Sequence, residues 1–188
     1  MDHSQIVKNA VLRNHVTLPI LNRWTCIALP ECWLVAGAVV QAVWNEKFGF
    51  APDHGMRDVD IVYHDPRDLS EESEAAHDAR IGSMFTDLPV RLDVKNEARV
   101  HLWYEARFGY AIAPYGSAKA AIATFPTTAT AIGVRRTGQG WEIEAPFGLA
   151  DLCDGVVRPN RVQVTQKIYE AKVARWRALW PDLIIHDW

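Results

Sequence analysis

Three aspartates carry the chemistry that this sequence suggests. Asp58 and Asp60 lie one residue apart in segment 58–63, and Asp93 lies in segment 90–95. Both segments alternate apolar and polar residues, which is the pattern of half-buried strands, so that alternate side chains share a face. If the two strands lie side by side, the three carboxylates meet on one exposed face. Such a cluster requires a cation, and hard oxygen ligands favour Mg²⁺ or Mn²⁺ over zinc.

A glycine turn precedes the first two acids and suits phosphate. Gly37 follows the apolar segment 32–36, which reads as a strand, and precedes apolar residues spaced by three and four, which read as a helix. The backbone N–H groups of Gly37, Ala38 and Val39 would therefore open that helix, where unpaired donors and the helix dipole attract anions. Glycine also lets a phosphate approach the backbone closely.

The pattern of the whole chain predicts an α/β (α+β) fold: a small mixed sheet flanked by helices, with a mainly helical C-terminal part that contains a hairpin. We expect a single domain over residues 1–188, with a core at about 30–110 and a C-terminal appendage at about 111–188. Strands are expected at 32–36, 58–63 and 90–95, and a hairpin at 129–136 and 141–145. Helices are expected at 4–13, 18–24, from Gly37 to about Phe48, 70–85, 96–108, 116–123 and 165–180.

Composition limits the function classes. The chain has 188 residues, 49% hydrophobic and 23% charged, which is enough apolar material for one compact domain. A net charge of −3 provides no field that would attract nucleic acid or an anionic membrane surface without specific contacts. Three cysteines without CxxC spacing indicate neither a disulfide framework nor a zinc site, and no stretch is apolar enough to span a membrane. We therefore expect a cytoplasmic protein.

Together these motifs resemble the DNA polymerase beta-like nucleotidyltransferase superfamily, in which a strand, a glycine turn and a helix precede an Asp-x-Asp pair and a later acidic strand. More closely, the chain is similar to a bacterial family of small nucleotidyltransferase-like proteins. The similarity extends from Leu34 onward and rests on the combination of motifs. They are Ala36-Gly37-Ala38-Val39, Val43-Trp44-Asn45, Asp58 to Tyr63 with Asp65, Val94-Lys95-Asn96, Ala98 to Tyr104, Pro126 to Thr130, Ala145 to Leu149 with Asp151-Leu152, and Arg158-Pro159-Asn160.

The resemblance implies metal-dependent transfer of a nucleoside monophosphate from a triphosphate such as ATP to a hydroxyl acceptor, either a small molecule or a macromolecule. Asp58 and Asp60 would bridge two Mg²⁺ or Mn²⁺ ions, and Asp93 would hold the ion that activates the acceptor hydroxyl. The glycine turn would hold the nucleotide phosphates. Lys95 and Asn96 directly follow the third acid and could touch a phosphate or the ribose.

Other interpretations of these residues stay open. Ala38 stands where the superfamily usually has Gly or Ser, so a catalytically silent protein that binds a nucleotide or a partner is the alternative function. Gly82-Ser83 before Asp93 offers a rival glycine turn, although Lys95 would then occupy the place of the second acid. The pairs His64-Asp65 and His77-Asp78 spell the dipeptide of helical metal-dependent phosphohydrolases, but His64 is expected to end a strand.

Overall fold

A computed structural model describes residues 2–188 of the chain, which begins with three helices. They are α1 (His3–Arg13), α2 (Thr17–Asn22) and α3 (Trp24–Ile27). The sequence pattern predicted one helix over 18–24, whereas the structure has a break at Arg23, whose N–H donates to the carbonyls of Pro19 and Ile20. These bonds close a tight turn between two short helices, and such a turn leaves the apolar spacing unchanged.

The predicted central elements are present with shifts of a residue or two at their ends. They are β1 (Trp33–Val35), α4 (Gly37–Phe48), β2 (Asp58–Tyr63), α5 (Glu71–Met84) and β3 (Arg91–Asn96). Helix α5 begins where the Ser70 side chain accepts a hydrogen bond from the Ser73 N–H, and three glutamates in its first turn complement the helix dipole.

Two predicted helices follow β3. A 3-10 turn (Glu97–Arg99) leads into α6 (Val100–Phe108), which Gly109 ends with a φ of +85°. The Asn96 side chain caps the 3-10 turn by accepting a hydrogen bond from the Ala98 N–H. The Ser117 side chain caps α7 (Ala118–Ile122) in the same manner.

The C-terminal part contains the predicted hairpin, the predicted last helix and three short elements that the pattern did not predict. The hairpin is β4 (Gly133–Thr137) and β5 (Gly140–Glu144), and the last helix is α9 (Gln166–Leu179). The unpredicted elements are α8 (Ala150–Asp154), β6 (Val156–Val157) and β7 (Ile184–Ile185). Segments of five and two residues are too short to show a helical or strand period.

Five strands form one mixed sheet in the order β3-β2-β1-β4-β5. Strands β2 and β3 are parallel, and every other pair in this sheet is antiparallel. The predicted mixed sheet flanked by helices is therefore confirmed. The C-terminal hairpin extends this sheet, because β4 pairs with β1.

The core joins the sheet to α4 and α9. Val59 and Ile61 of β2 are fully buried on the face of the sheet opposite Asp58 and Asp60. On α4, the Trp44 ring makes edge-to-face contacts with Trp176 of α9 and with Trp180, which directly follows that helix, at centroid distances of 5.7 and 5.4 Å. Within residues 2–188, none of the helices has the length and apolar character that crossing a membrane requires.

Candidate active site

Strand register brings the predicted acids to one face of the sheet. Asp60 lies directly opposite Asp93 in the parallel pair of β2 and β3, and Asp58 lies two residues before Asp60. Paired residues on neighbouring strands point to the same face, as do residues i and i+2 of one strand. All three aspartates line one cavity of about 330 Å³.

The acids influence one another electrostatically. Burial first, and then the negative charges of Asp58 and Asp93, raise the pKa of Asp60 to about 6, although Lys172 and Lys95 act in the opposite direction. The Oδ1 atom of Asp93 is buried and accepts no well-aligned hydrogen bond, with the Lys95 ammonium 3.1 Å away. The cluster therefore carries negative charge that the protein only partly neutralises.

This donor set has the chemistry of a site for a hard divalent cation, namely carboxylate oxygens with one buried oxygen unsatisfied. Over residues 2–188, however, no three or more His, Cys, Asp and Glu side chains are already gathered around a common metal position. The metal role of Asp58, Asp60 and Asp93 thus stays a prediction.

The glycine turn lies beside Asp60. Val35, at the end of β1, pairs with Asp60, and α4 begins two residues later. A Cβ added to Gly37 would lie 3.5 Å from Gln41 Nε2 and 4.0 Å from Asp60 Oδ2, so the space above this glycine opens toward the carboxylate.

The unusual backbone of the turn is at Ala36. This residue has φ 47° and ψ −115°, which is strained for any residue other than glycine, and its N–H donates to the carbonyl of Ile132 at 3.0 Å. The pairing of β1 with β4 holds Ala36 in this conformation. The chain turns at Ala36, so that α4 begins at the cavity wall.

The start of α4 offers backbone N–H groups and the Gln41 side-chain amide as donors. The first intrahelical bond runs from the Val40 N–H to the Ala36 carbonyl, so the N–H groups of Gly37, Ala38 and Val39 have no partner within the helix. Among the described residues, none caps this end with its side chain. Gly37 and Gln41 line the cavity, whereas Ala38 and Val39 are fully buried and do not line it.

Sequence reasoning missed the cations of this cavity. Lys172 and Arg175 of α9 and Arg107 of α6 line it together with Gly37 and the acids. Burial lowers the pKa of Lys172, while the Asp60 carboxylate acts in the opposite direction. Lys172 and Arg175 are three residues apart on one face of α9, but nothing in the sequence indicates which element that face meets.

The structure separates the two residues that follow Asp93. Lys95 lies beside the Asp93 carboxylate and lines a second, larger cavity. Asn96 is 1% exposed, and its side chain is occupied by the main chain: it accepts from the N–H groups of Asp65 and Ala98 and donates to the carbonyls of Asp65 and Asp68. The structure therefore does not bring Asn96 to either cavity.

The rival motifs are placed elsewhere. Gly82-Ser83 lies within the last turn of α5 and does not follow a strand. His64 follows β2, and its Nε2 atom lies 2.8 Å from the carbonyl of Tyr115. A helical phosphohydrolase would lack the five-stranded sheet on which the acids lie, so the structure contradicts that interpretation.

Comparisons with known proteins agree with this fold. A solved structure described as "The NMR structure of the protein reveals a CCA-adding enzyme head domain" is 23% identical, with 98% of this chain and 96% of that chain covered and a TM-score of 0.79. This likeness establishes a shared fold. A comparison with curated proteins found no match. The model of a family described as "Nucleotidyltransferase" matches residues 22–185, which confirms the resemblance seen in the motifs. Because this match spans most of the chain, the protein belongs to that nucleotidyltransferase family.

Proposed function

We propose that the protein transfers a nucleoside monophosphate from a nucleoside triphosphate, such as ATP, to a hydroxyl acceptor, and that this transfer depends on Mg²⁺ or Mn²⁺. One observation carries the proposal: Asp60, paired with Asp93, faces the turn at Gly37 within a single cavity. Carboxylates and phosphate-binding amides in one cavity are what a reaction at a phosphate ester requires.

The phosphates would be held by the start of α4 and by α9. The N–H group of Gly37, which lines the cavity, would donate to phosphate oxygens, and the helix dipole adds positive potential at the same place. Lys172 and Arg175 line the same cavity and supply positive charge. Arg107 and Lys172 also line the second cavity and so connect the two cavities.

Asp58, Asp60 and Asp93 would hold the divalent cation, whose positive charge offsets the charge that develops on the phosphates. In the transfer, the acceptor oxygen forms a bond to the α-phosphorus as the bond to the bridging oxygen breaks. The acceptor hydroxyl gives its proton to the solvent, and pyrophosphate leaves with the electron pair of the broken bond. The remaining task of the protein is to align the two oxygens and to exclude water.

Substitution of Asp60 by asparagine tests this function. We expect the Asp60→Asn protein to lose pyrophosphate release across a screen of hydroxyl acceptors, and to lose Mg²⁺-dependent triphosphate binding by titration calorimetry, while its melting temperature does not fall. Asp182→Asn, at an exposed position in neither cavity, is the control. Full transfer activity in the Asp60→Asn protein would rule out the assigned acids.

A second function, binding without turnover, is motivated by Ala38, which supplies no hydroxyl to the turn. Calorimetry with each triphosphate and Mg²⁺ separates the two functions. Binding without pyrophosphate release across the acceptor screen would favour the silent protein, whereas release of pyrophosphate requires the enzyme.

We also propose that the protein acts in the cytoplasm, where nucleoside triphosphates are plentiful and thiols stay reduced. Cys26, Cys32 and Cys153 are all free thiols. A cell fractionation that recovers the protein from an oxidising compartment would contradict this location.

A further inference from the structure

A second cavity, larger than the first, adjoins the acid cluster. Its volume is about 540 Å³, within the range that holds small organic ligands. It shares Asp93, Arg107, Pro126 and Lys172 with the first cavity, but Gly37, Asp58 and Asp60 do not line it. A ligand in this second cavity can therefore reach the acids only at Asp93.

The walls of the second cavity suit a flat ring. Aromatic side chains come from α6 and from the segments around α7, and they are Trp103, Tyr104, Phe108, Tyr115 and Phe125. Val100, Val164 and Ile168 add aliphatic surface. Aromatic faces stack on planar ligands and stabilise them by dispersion as well as by burial of apolar surface.

The Glu97 carboxyl group in these walls makes no hydrogen bond within residues 2–188. Glu97 lines the cavity and is 7% exposed, yet no hydrogen bond or cation of the described residues engages its carboxyl group, and its charged neighbours are the acids Glu74 and Asp60. By contrast, the Arg99 guanidinium and the Asn96 N–H donate to the carboxylate of Glu74, at 2.8 and 2.7 Å.

The other hydroxyl groups of the walls are occupied. The Tyr115 hydroxyl lies 3.0 Å from Thr124 Oγ1 and donates to Gln163 Oε1 at 2.8 Å. The Tyr104 hydroxyl lies 3.0 Å from that of Tyr110. A buried acceptor is costly to leave unpaired, so the Glu97 carboxyl group is one that a ligand would satisfy.

We infer that the second cavity binds a nucleobase-like ring, stacked among the aromatic side chains, with an amino or ring N–H group donating to Glu97. This inference rests on the proposed function, because it places the ring beside the reacting phosphate. The ring belongs either to the triphosphate itself or to a nucleoside that carries the acceptor hydroxyl. The two sources share one recognition chemistry and differ in whether a nucleoside and a triphosphate bind together.

The test compares the wild type with Glu97→Leu by titration calorimetry. The four probes are adenosine, purine riboside, Mg²⁺–ATP and inorganic triphosphate. Purine riboside differs from adenosine in lacking the amino group. We expect the wild type to prefer adenosine over purine riboside, and Glu97→Leu to weaken adenosine or ATP binding about tenfold through the lost hydrogen bond to the Glu97 carboxyl group. Inorganic triphosphate should bind both proteins equally. Glu97→Leu should also raise the melting temperature, whereas loss of a structural carboxylate would lower it.

The source of the ring follows from competition. If the ring is the base of the triphosphate, adenosine competes with ATP, and Glu97→Leu lowers ATP affinity toward that of inorganic triphosphate. If the ring belongs to the acceptor, adenosine binds in the presence of saturating ATP. In that case Glu97→Leu weakens adenosine binding and leaves ATP binding unchanged. Glu105→Leu, at an exposed position of α6 outside the cavity, is the control.

Trp103→Ala provides a second variant, because it removes a half-buried aromatic wall without touching Glu97. It too should weaken adenosine or ATP binding and spare inorganic triphosphate. Unchanged binding of both ring-bearing probes in both variants would overturn the inference. Such a result is distinct from failure of the proposed function, which the Asp60→Asn protein reports through inorganic triphosphate and pyrophosphate release.

Discussion

At the scale of single residues, the acid cluster shows how neighbouring carboxylates that suit a cation lower the stability of the folded protein. Asp60 loses solvation on burial and faces two further carboxylates, so its proton is held more tightly than in an exposed aspartate. Such an arrangement destabilises the fold at neutral pH unless a cation enters. Perturbed carboxyl groups that gather in a cavity are typical of functional sites.

This gives a prediction for pH and metal. Because the pKa of Asp60 rises from 3.8 unfolded to about 6 folded, the folded state binds more protons in that interval, and stability falls as pH rises through it. Without metal, Asp60→Asn should therefore be more stable than the wild type by roughly 1–3 kcal/mol at pH 7 and equal to it near pH 3. Urea unfolding in EDTA at several pH values measures the difference.

Addition of Mg²⁺ should stabilise the wild type and leave Asp60→Asn nearly unchanged, since a ligand stabilises the state that binds it. An Asp60→Asn protein that is less stable than the wild type at pH 7 in EDTA would contradict the prediction.

At the scale of elements, the site depends on how α4 begins. Strand β1 ends at Val35, Ala36 takes a strained conformation, and Gly37 opens the helix with its bare backbone toward Asp60. The helix was recognisable from apolar spacing alone. Its orientation toward the acids comes from the pairing of β1 with both β2 and β4.

Gly37→Ala is the corresponding prediction. The added methyl group would meet its nearest neighbours at 3.5 and 4.0 Å, which are ordinary contact distances, so the fold should be kept and α4 stabilised by up to about 1 kcal/mol. The same methyl group would stand where a phosphate must approach the backbone. We expect at least tenfold weaker binding of Mg²⁺–ATP by calorimetry.

Gly82→Ala is the matched control for that variant, because Gly82 also lies in a helix and its Cβ would meet open space. It should bind Mg²⁺–ATP like the wild type. Equal affinity in the Gly37→Ala protein would remove the glycine turn from the site.

At the scale of the whole molecule, the C-terminal part completes both the sheet and the cavity. Strand β4 pairs with β1, and Trp180, directly after α9, donates from Nε1 to Asn45 Oδ1 at 2.8 Å. Arg175 and Lys172 of α9 line the cavity together with the acids. The division into a core at 30–110 and an appendage at 111–188 remains a prediction, and the sheet crosses its boundary.

Truncation tests this division. A chain that ends at residue 110 would lose β4 and β5 from the sheet and would expose the Trp44 face that Trp176 and Trp180 cover. We expect it to lack a cooperative unfolding transition in circular dichroism. A cooperative, stable 1–110 fragment would show that the core folds by itself.

Trp180→Phe removes one hydrogen bond and part of one ring. This variant should stay folded, and its free energy of unfolding should fall by roughly 1–3 kcal/mol.

What the sequence determined by itself was local. Alternation located β2 and β3, apolar spacing located α4, and Ser70, Asn96 and Ser117 marked starts of helical segments, because such signals act between residues a few positions apart. The same alternation placed the three aspartates on exposed faces of their strands. The combination of motifs from Leu34 onward also sufficed to indicate the family.

Only the tertiary structure decided which elements meet. The order of the sheet sets Asp93 opposite Asp60 and joins the hairpin to β1, and these pairings depend on packing between distant segments. Packing between distant segments also brings Lys172 of α9 to the acids. It likewise gathers the aromatic side chains around Glu97. The position of Asn96 after Asp93 suggested a contact with the ligand. In the fold, its side chain instead accepts hydrogen bonds from the N–H groups of Asp65 and Ala98. Side-chain direction in three dimensions is set by packing, and sequence spacing encodes it only within one element.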